Sequence, residues 1–276
     1  MLGVPCVYVT LWNKLSMPYG IAGEALSMAN FAEMLLFSAI MGLSIYFSLP
    51  FVLRKETNQR ATIFLNALAI GILIFLMGDV FSDVAPLLSN GSLYGYGTAL
   101  FNDLLFAAAF TAGFSVLYLV EARSKTGLTP ALTALIIALG IGFQNLTEGL
   151  VFGALGVTFG FASGAALVVL MGFLFQNVTE GFPIASPFLG DTNRRVGLMS
   201  ALFLLGGVPT VIGGAVGFYY NLPLFDIFFD GLAIGSILYV LVPMFKSLFR
   251  QSVSMQRLIY VGLCLGFMLG FLVNLI

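Results

Sequence analysis

The stretch PALTALIIALGIGFQNLTEGLVFGALG, Pro130 to Gly156, contains a single charged residue, Glu148. About 20 apolar residues in a helix cross the roughly 30 Å of hydrocarbon in a bilayer, so this stretch is long enough to span one. Similar stretches precede it at Phe31 to Leu53, Ala61 to Val80 and Thr98 to Val120. Four more follow, at Ala162 to Leu189, Val196 to Tyr219, Pro223 to Phe245 and Leu258 to Ile276. The whole chain of 276 residues is 60% hydrophobic and 8% charged, where a soluble domain has about a quarter charged residues. Such a chain cannot cover its own surface in water, which excludes a soluble globular domain. The expectation is an all-α integral membrane protein with eight transmembrane helices, forming one domain over residues 31–276. Residues 1–30, with Tyr8, Trp12, Lys14 and Tyr19, read as an interfacial or loosely ordered segment without the pattern of a removable signal peptide. Cys6 and Cys264 lie at opposite ends of the sequence, with neither disulfide nor zinc-site spacing.

Basic residues set the expected orientation. Arg54, Lys55 and Arg60 join the first two stretches, Arg123 and Lys125 the third and fourth, Arg194 and Arg195 the fifth and sixth, and Lys246, Arg250 and Arg257 the last two. The alternate connections, Pro86 to Gly97, Val157 to Phe161 and Tyr220 to Leu222, have none. The positive-inside rule then makes the basic loops cytoplasmic, which requires an even number of spans and puts both termini on the extracytoplasmic side.

The fourth stretch contains Phe143-Gln144-Asn145-Leu146-Thr147-Glu148-Gly149, and the fifth contains Phe175-Gln176-Asn177-Val178-Thr179-Glu180-Gly181. The two words differ only at Leu146 against Val178. Residues three and four apart share a helix face, so Gln144, Asn145 and Glu148 point one way, as do Gln176, Asn177 and Glu180. Consecutive spans run in opposite directions, so a repeated word points to two helices related by a pseudo-two-fold axis in the membrane plane. The bland reading is interhelical glue, worth about 0.6 kcal/mol per contact. Glue does not need two glutamates at mid-membrane, where charge marks a pathway, a pair or a bound ion. Six oxygen-bearing side chains, two of them carboxylates, suit a divalent cation. A proton is expected to leave when that cation binds, because two carboxylates in a dry site repel each other.

With these words in view, the chain resembles the ZIP (Zrt/Irt-like) family of metal transporters from about Phe31 to Ile276. In that family the fourth span commonly holds His-Asn-x-Pro-Glu-Gly and the fifth a His-x-x-Pro-Glu-Gly word closed by a proline. QNLTEGLVFGA at 144–154 matches the Asn, Glu and Gly positions, and QNVTEGFPIASP at 176–187 matches the Glu and Gly positions, with Pro187 as the closing proline. GLSIYFSLPFVLRK at 42–55, LMGDVFSDVAPLL at 76–88 and LLGGVPTVIGGAVG at 204–217 are similar as well. The resemblance implies eight spans and alternating access, with spans one, four, five and six moving against the others. It also implies a primary metal site of Gln144, Glu148, Gln176 and Glu180, and an adjoining one lined by Asn145 and Asn177.

The departures bear on selectivity. The chain has no histidine, and Gln144 and Gln176 occupy the imidazole positions. Imidazole favours zinc, whereas amide and carboxylate oxygens favour harder ions such as manganese, magnesium or iron(II). Thr147 and Thr179 replace prolines, and Thr210 stands where many members have a glutamate.

Asp79, Asp83, Asp103, Asp226 and Asp230 gather toward the extracytoplasmic ends of their spans, as interfacial solvation or as an entrance that concentrates cations. The expected function is movement of a divalent metal cation toward the cytoplasm, in a plasma membrane of prokaryotic type. The metal ion is cargo, with no cofactor and no enzymatic activity expected. The lipid bilayer is the expected surrounding, a homodimer is a candidate assembly, and no nucleic-acid partner is implied. Two alternatives come from other classes: a transporter-like protein that has lost transport and acts as a binding or assembly partner, and an intramembrane hydrolase using Glu148 and Glu180 as acid and base.

Overall fold

The computed structural model describes residues 28–52, 59–89, 99–123, 129–189, 196–220, 222–249 and 255–273. The segment assigned to residues 1–30 therefore lies outside the described residues, apart from Met28 to Asn30, which open the first helix. The long helices are α1 Met28–Leu43, α2 Gln59–Ser89, α3 Ala99–Arg123, α4 Pro130–Phe159, α5 Gly164–Ala185, α6 Val196–Tyr219, α7 Pro223–Phe249 and α8 Gln256–Val273. No strand occurs among the described residues.

Local chemistry sets several boundaries. Thr129 starts α4 by accepting from the Leu132 N–H at 3.2 Å, with Pro130 in the first turn, where its missing N–H costs nothing. Ser163 starts α5 in the same way through the Ala166 N–H. Gly160, at φ 86°, ends α4 in a conformation that favours glycine. α1 tightens into a 3-10 turn at Ser44–Ser48 before the short helical turn Leu49–Val52. Pro50 has no N–H to give back to Tyr46, which accounts for the change of winding.

Seven of these helices are long and apolar enough to cross a membrane, and the apolar part of α8, Gln256–Leu272, is shorter. The protein is an all-α integral membrane protein. Several boundaries differ from the sequence expectation, and three of them extend helices that bear on the site or the bundle junction. α2 continues past Val80 to Ser89, so Pro86, expected to open a connection, sits inside the helix with Asp83. Pro86 interrupts one hydrogen bond near the helix end, which is not enough to stop it. α4 continues to Phe159 and α7 to Phe249.

Packing divides the helices into two bundles. α4 lies along α6, α6 along α1, and α5 against both α1 and α4; α2 lies along α8 and α7, and α7 along α3. The bundles meet where α4 touches α7 and where α5 touches α2. Exchanging α1 with α6, α2 with α7, α3 with α8 and α4 with α5 returns the same set of principal neighbours, the pattern of an inverted repeat. Between α4 and α6 the backbones nearly touch. A Cβ on Gly149 or Gly153 would strike the Thr210 or Gly214 carbonyl, and one on Gly213 or Gly217 would strike that of Leu146 or Leu150.

Three apolar cores fill the molecule. The largest draws on the α2 half containing Ile63 to Leu76, the α4 half containing Ala134 to Ile141 and the α7 half containing Ile237 to Leu248. Arg60, Arg123, Lys246 and Arg257, the basic residues among those described, lie at the helix ends on this side. At the other end are two smaller cores. One is built from Met34, Phe152, Leu170 and Phe218, and the other from Val80, Val84, Leu87 and Ile227.

Candidate metal centre between α4 and α5

The two repeated words meet at mid-height, between the large core and the small ones. On α4, Gln144 and Glu148 follow Ile141 of the large core and precede Phe152 of a small one; on α5, Asn177 and Glu180 lie between Leu170 and Ile184. Asn145, Asn177 and Glu180 are 0% exposed, Gln144 3% and Glu148 6%. Gln176 is half-buried. These groups have left water, so each polar atom needs a partner or a ligand.

Glu148 is well supplied. Gln144 Nε2 donates to Glu148 Oε1 at 2.6 Å, and Asn177 Nδ2 donates to Glu148 Oε2 at 3.3 Å. Asn145 Nδ2 donates to Asn177 Oδ1 at 2.8 Å and to the Gly206 carbonyl of α6 at 2.9 Å. Asn177 Nδ2 also donates back along α5 to the Phe173 carbonyl at 2.9 Å. The two asparagines thus tie α4, α5 and α6 around the glutamates.

Glu180 is not supplied. Neither of its oxygens has a hydrogen-bond partner, and the same holds for Gln144 Oε1, Asn145 Oδ1 and the Thr210 hydroxyl. The side chains of Asn145, Gln144 and Gln176 surround Glu180, but none presents an N–H to it in hydrogen-bond geometry. Three side chains of the predicted site therefore expose four unpartnered acceptor oxygens in a dry space. A proton can satisfy one of them, and a cation can satisfy several.

Thr147 and Thr179 sit in the two repeated words without breaking either helix. Thr179 Oγ1 donates to the Gln176 carbonyl at 2.7 Å, and Thr147 Oγ1 makes a longer 3.3 Å contact to that of Phe143. Four of the five entrance aspartates share one neighbourhood. Glu148 has Asp79 and Asp83 as charged neighbours besides Glu180, and Asp230 has Asp226, Asp83 and Asp79, with the Thr147 side chain facing it. Asp226 and Asp230 are buried and Asp79 half-buried. Asp83 is exposed although protein surrounds it, which is the geometry of a cleft. Asp103 is exposed on α3 and is not among these neighbours.

Sequence reading missed the Gly206 carbonyl. Pro209 in α6 leaves the carbonyl of Leu205, one residue before Gly206, without its helical donor, so the GGVP word marked this turn as irregular without singling out Gly206. Among the described residues no three Cys, Asp or Glu side chains form a metal-binding group. The donor set is thus two carboxylates and neutral amides, an all-oxygen set suited to a hard cation. No protein-family model matches the chain, and no curated protein matches it significantly.

Proposed function

We propose that this protein moves a divalent metal cation across the membrane, toward the side of the basic loops, through the centre between α4 and α5. The observation that supports this most is the set of unpartnered acceptors on Gln144, Asn145 and Glu180, fully enclosed beside a second carboxylate. Such a set is costly when empty and favourable around a cation. The inverted-repeat packing supports alternating access, because the bundle of α1, α4, α5 and α6 holds every residue of the centre. Acids at the bundle junction supply an entrance.

The finer reading has eight spans, both termini extracytoplasmic, and α8 crossing by virtue of its position alongside α2. It also places the protein in the ZIP family, as a member without the metal-binding histidines. Cysteine at Ser92 should react with an impermeant reagent from outside, and at Ser124 only after permeabilisation; both positions fall outside the described residues. The reverse pattern would invert the orientation.

The deciding experiment is uptake into proteoliposomes with a panel of divalent cations. Uptake of manganese, iron(II) or magnesium ahead of zinc is the expected outcome. Saturable binding without uptake would favour the second reading, a binding or assembly partner, for which the missing histidines speak.

A further inference from the structure

The three cores leave the molecule unevenly closed. On the side of the basic residues, one core takes side chains from α2 to α8 and from the 3-10 turn after α1, and bridges the two bundles. On the opposite side each bundle has its own core, and Asp79, Asp83, Asp226 and Asp230 stand at the junction. The pseudo-two-fold that exchanges the helices also exchanges the two sides, so a symmetric molecule would be equally closed at both. This one is split on one side and sealed on the other.

The seal passes across α4 and α7 just below the centre. Ile137 on α4 and Ile237 and Val240 on α7 are each 2% exposed. Among them sits a polar atom without a partner, Ser236 Oγ, on a residue that is 0% exposed. A Cβ added to Gly140 would lie 3.2 Å from Ser236 Cβ. Gly140 is one helical turn from Gln144 on the same face of α4, so Ser236 lies one turn below Gln144, whose Oε1 is also unpartnered.

We propose that the α4 and α7 contact is the inner gate, and that the Ser236 hydroxyl is the first group to receive the cation from Gln144 as the gate parts. This rests on the transport reading above. An unpaired hydroxyl in a dry contact disfavours the closed arrangement and gains a partner when water or a cation enters. Ser236 is thus a weak point set into an otherwise apolar seal, at the level where cargo must leave the centre.

Ser236→Ala removes the hydroxyl without adding bulk, and its melting temperature should be unchanged or higher. The test uses a protein carrying Cys6→Ser and Cys264→Ser, with Val240→Cys, one turn from Ser236, as reporter. An impermeant maleimide on the basic-loop side should modify Val240→Cys slowly, and Asp83→Cys should react faster from the opposite side. Ser236→Ala should slow Val240→Cys modification roughly tenfold and slow manganese uptake in parallel, while manganese binding in detergent stays the same. Equal modification of Val240→Cys with and without Ser236 would overturn the gate assignment, as would a parent Val240→Cys that reacts as fast as Asp83→Cys. A preserved labelling difference in a protein that takes up no cation would overturn the transport reading and leave the gate standing.

Discussion

α4 and α5 hold nearly the same seven-residue word, yet the two copies sit in different surroundings. Glu148 on α4 receives N–H donors on both oxygens, whereas Glu180 on α5 receives none. α4 is enclosed by α6 on one side and α7 on the other, while α5 leaves more of its surface uncovered. An inverted repeat thus does not make its two halves chemically equal in a single conformation. Glu148 has an amide donor on each of its oxygens, and Glu180 with its neighbouring carbonyl oxygens lacks a donor.

The largest effect that would test this comparison is loss of uptake. Glu148→Gln and Glu180→Gln each remove one charge at nearly constant volume, leaving half of a divalent charge uncompensated in a low-dielectric site. Uptake should fall on the order of a hundredfold or more in each variant, with a normal yield of folded protein. Normal uptake by either one would take that copy of the word out of the centre.

Protons sharpen the comparison next. If both glutamates hold the cation, both must be ionised, so proton and cation compete, and lowering the pH should weaken binding by up to about tenfold per unit for each proton displaced. Proton release on manganese addition in weakly buffered solution is the direct reading. No histidine is present to produce the same effect. A pH-independent affinity would mean that the carboxylates do not ligate.

Selectivity comes third. Gln144→His with Gln176→His adds one imidazole to each copy and should shift the ranking toward zinc by roughly tenfold or more. An unchanged ranking in competition uptake would show that the amide positions do not face the cation.

The smallest effect discriminates most finely between the copies. In cation-free protein Glu180→Gln supplies N–H groups to the unpartnered oxygens of Gln144 and Asn145, and should stabilise by about 1–3 kcal/mol. Glu148→Gln turns an amide toward the donors of Gln144 and Asn177, and should destabilise by a similar amount. Opposite shifts in melting temperature are expected. Equal shifts would mean that the two glutamates are equivalent in the resting protein.

Much of this was legible in the sequence, for physical reasons. Runs of about 20 apolar residues have few structural solutions, so α6 coincides with its expected range and α4 starts where Thr129 and Pro130 indicate. The repeated word was conspicuous because a mid-membrane carboxylate needs a reason. The end of α2 lies beyond its apolar run because Asp79, Ser82 and Asp83 interrupt the hydropathy near Val80 while the helix continues through Pro86, a proline near a helix end costing only one bond. Ser236 gave no sign, since a serine in an apolar helix fits packing as easily as function and only its unpartnered oxygen distinguishes it. Asp103 shared residue type and approximate depth with the other aspartates, but its helix turns it elsewhere.

The glycine contacts between α4 and α6 also bear on the mechanical compliance of the molecule. Where one helix rests its backbone in the groove of another, sliding by a single residue would drive carbonyl against carbonyl, so the pair resists shear like meshed gear teeth. At α4 and α7 the contact runs through Ser236 and Ile237 side chains, which can change rotamer and come apart. A displacement of α6 would therefore carry α4 with it, and the seam with α7 is where the side-chain contact offers less resistance.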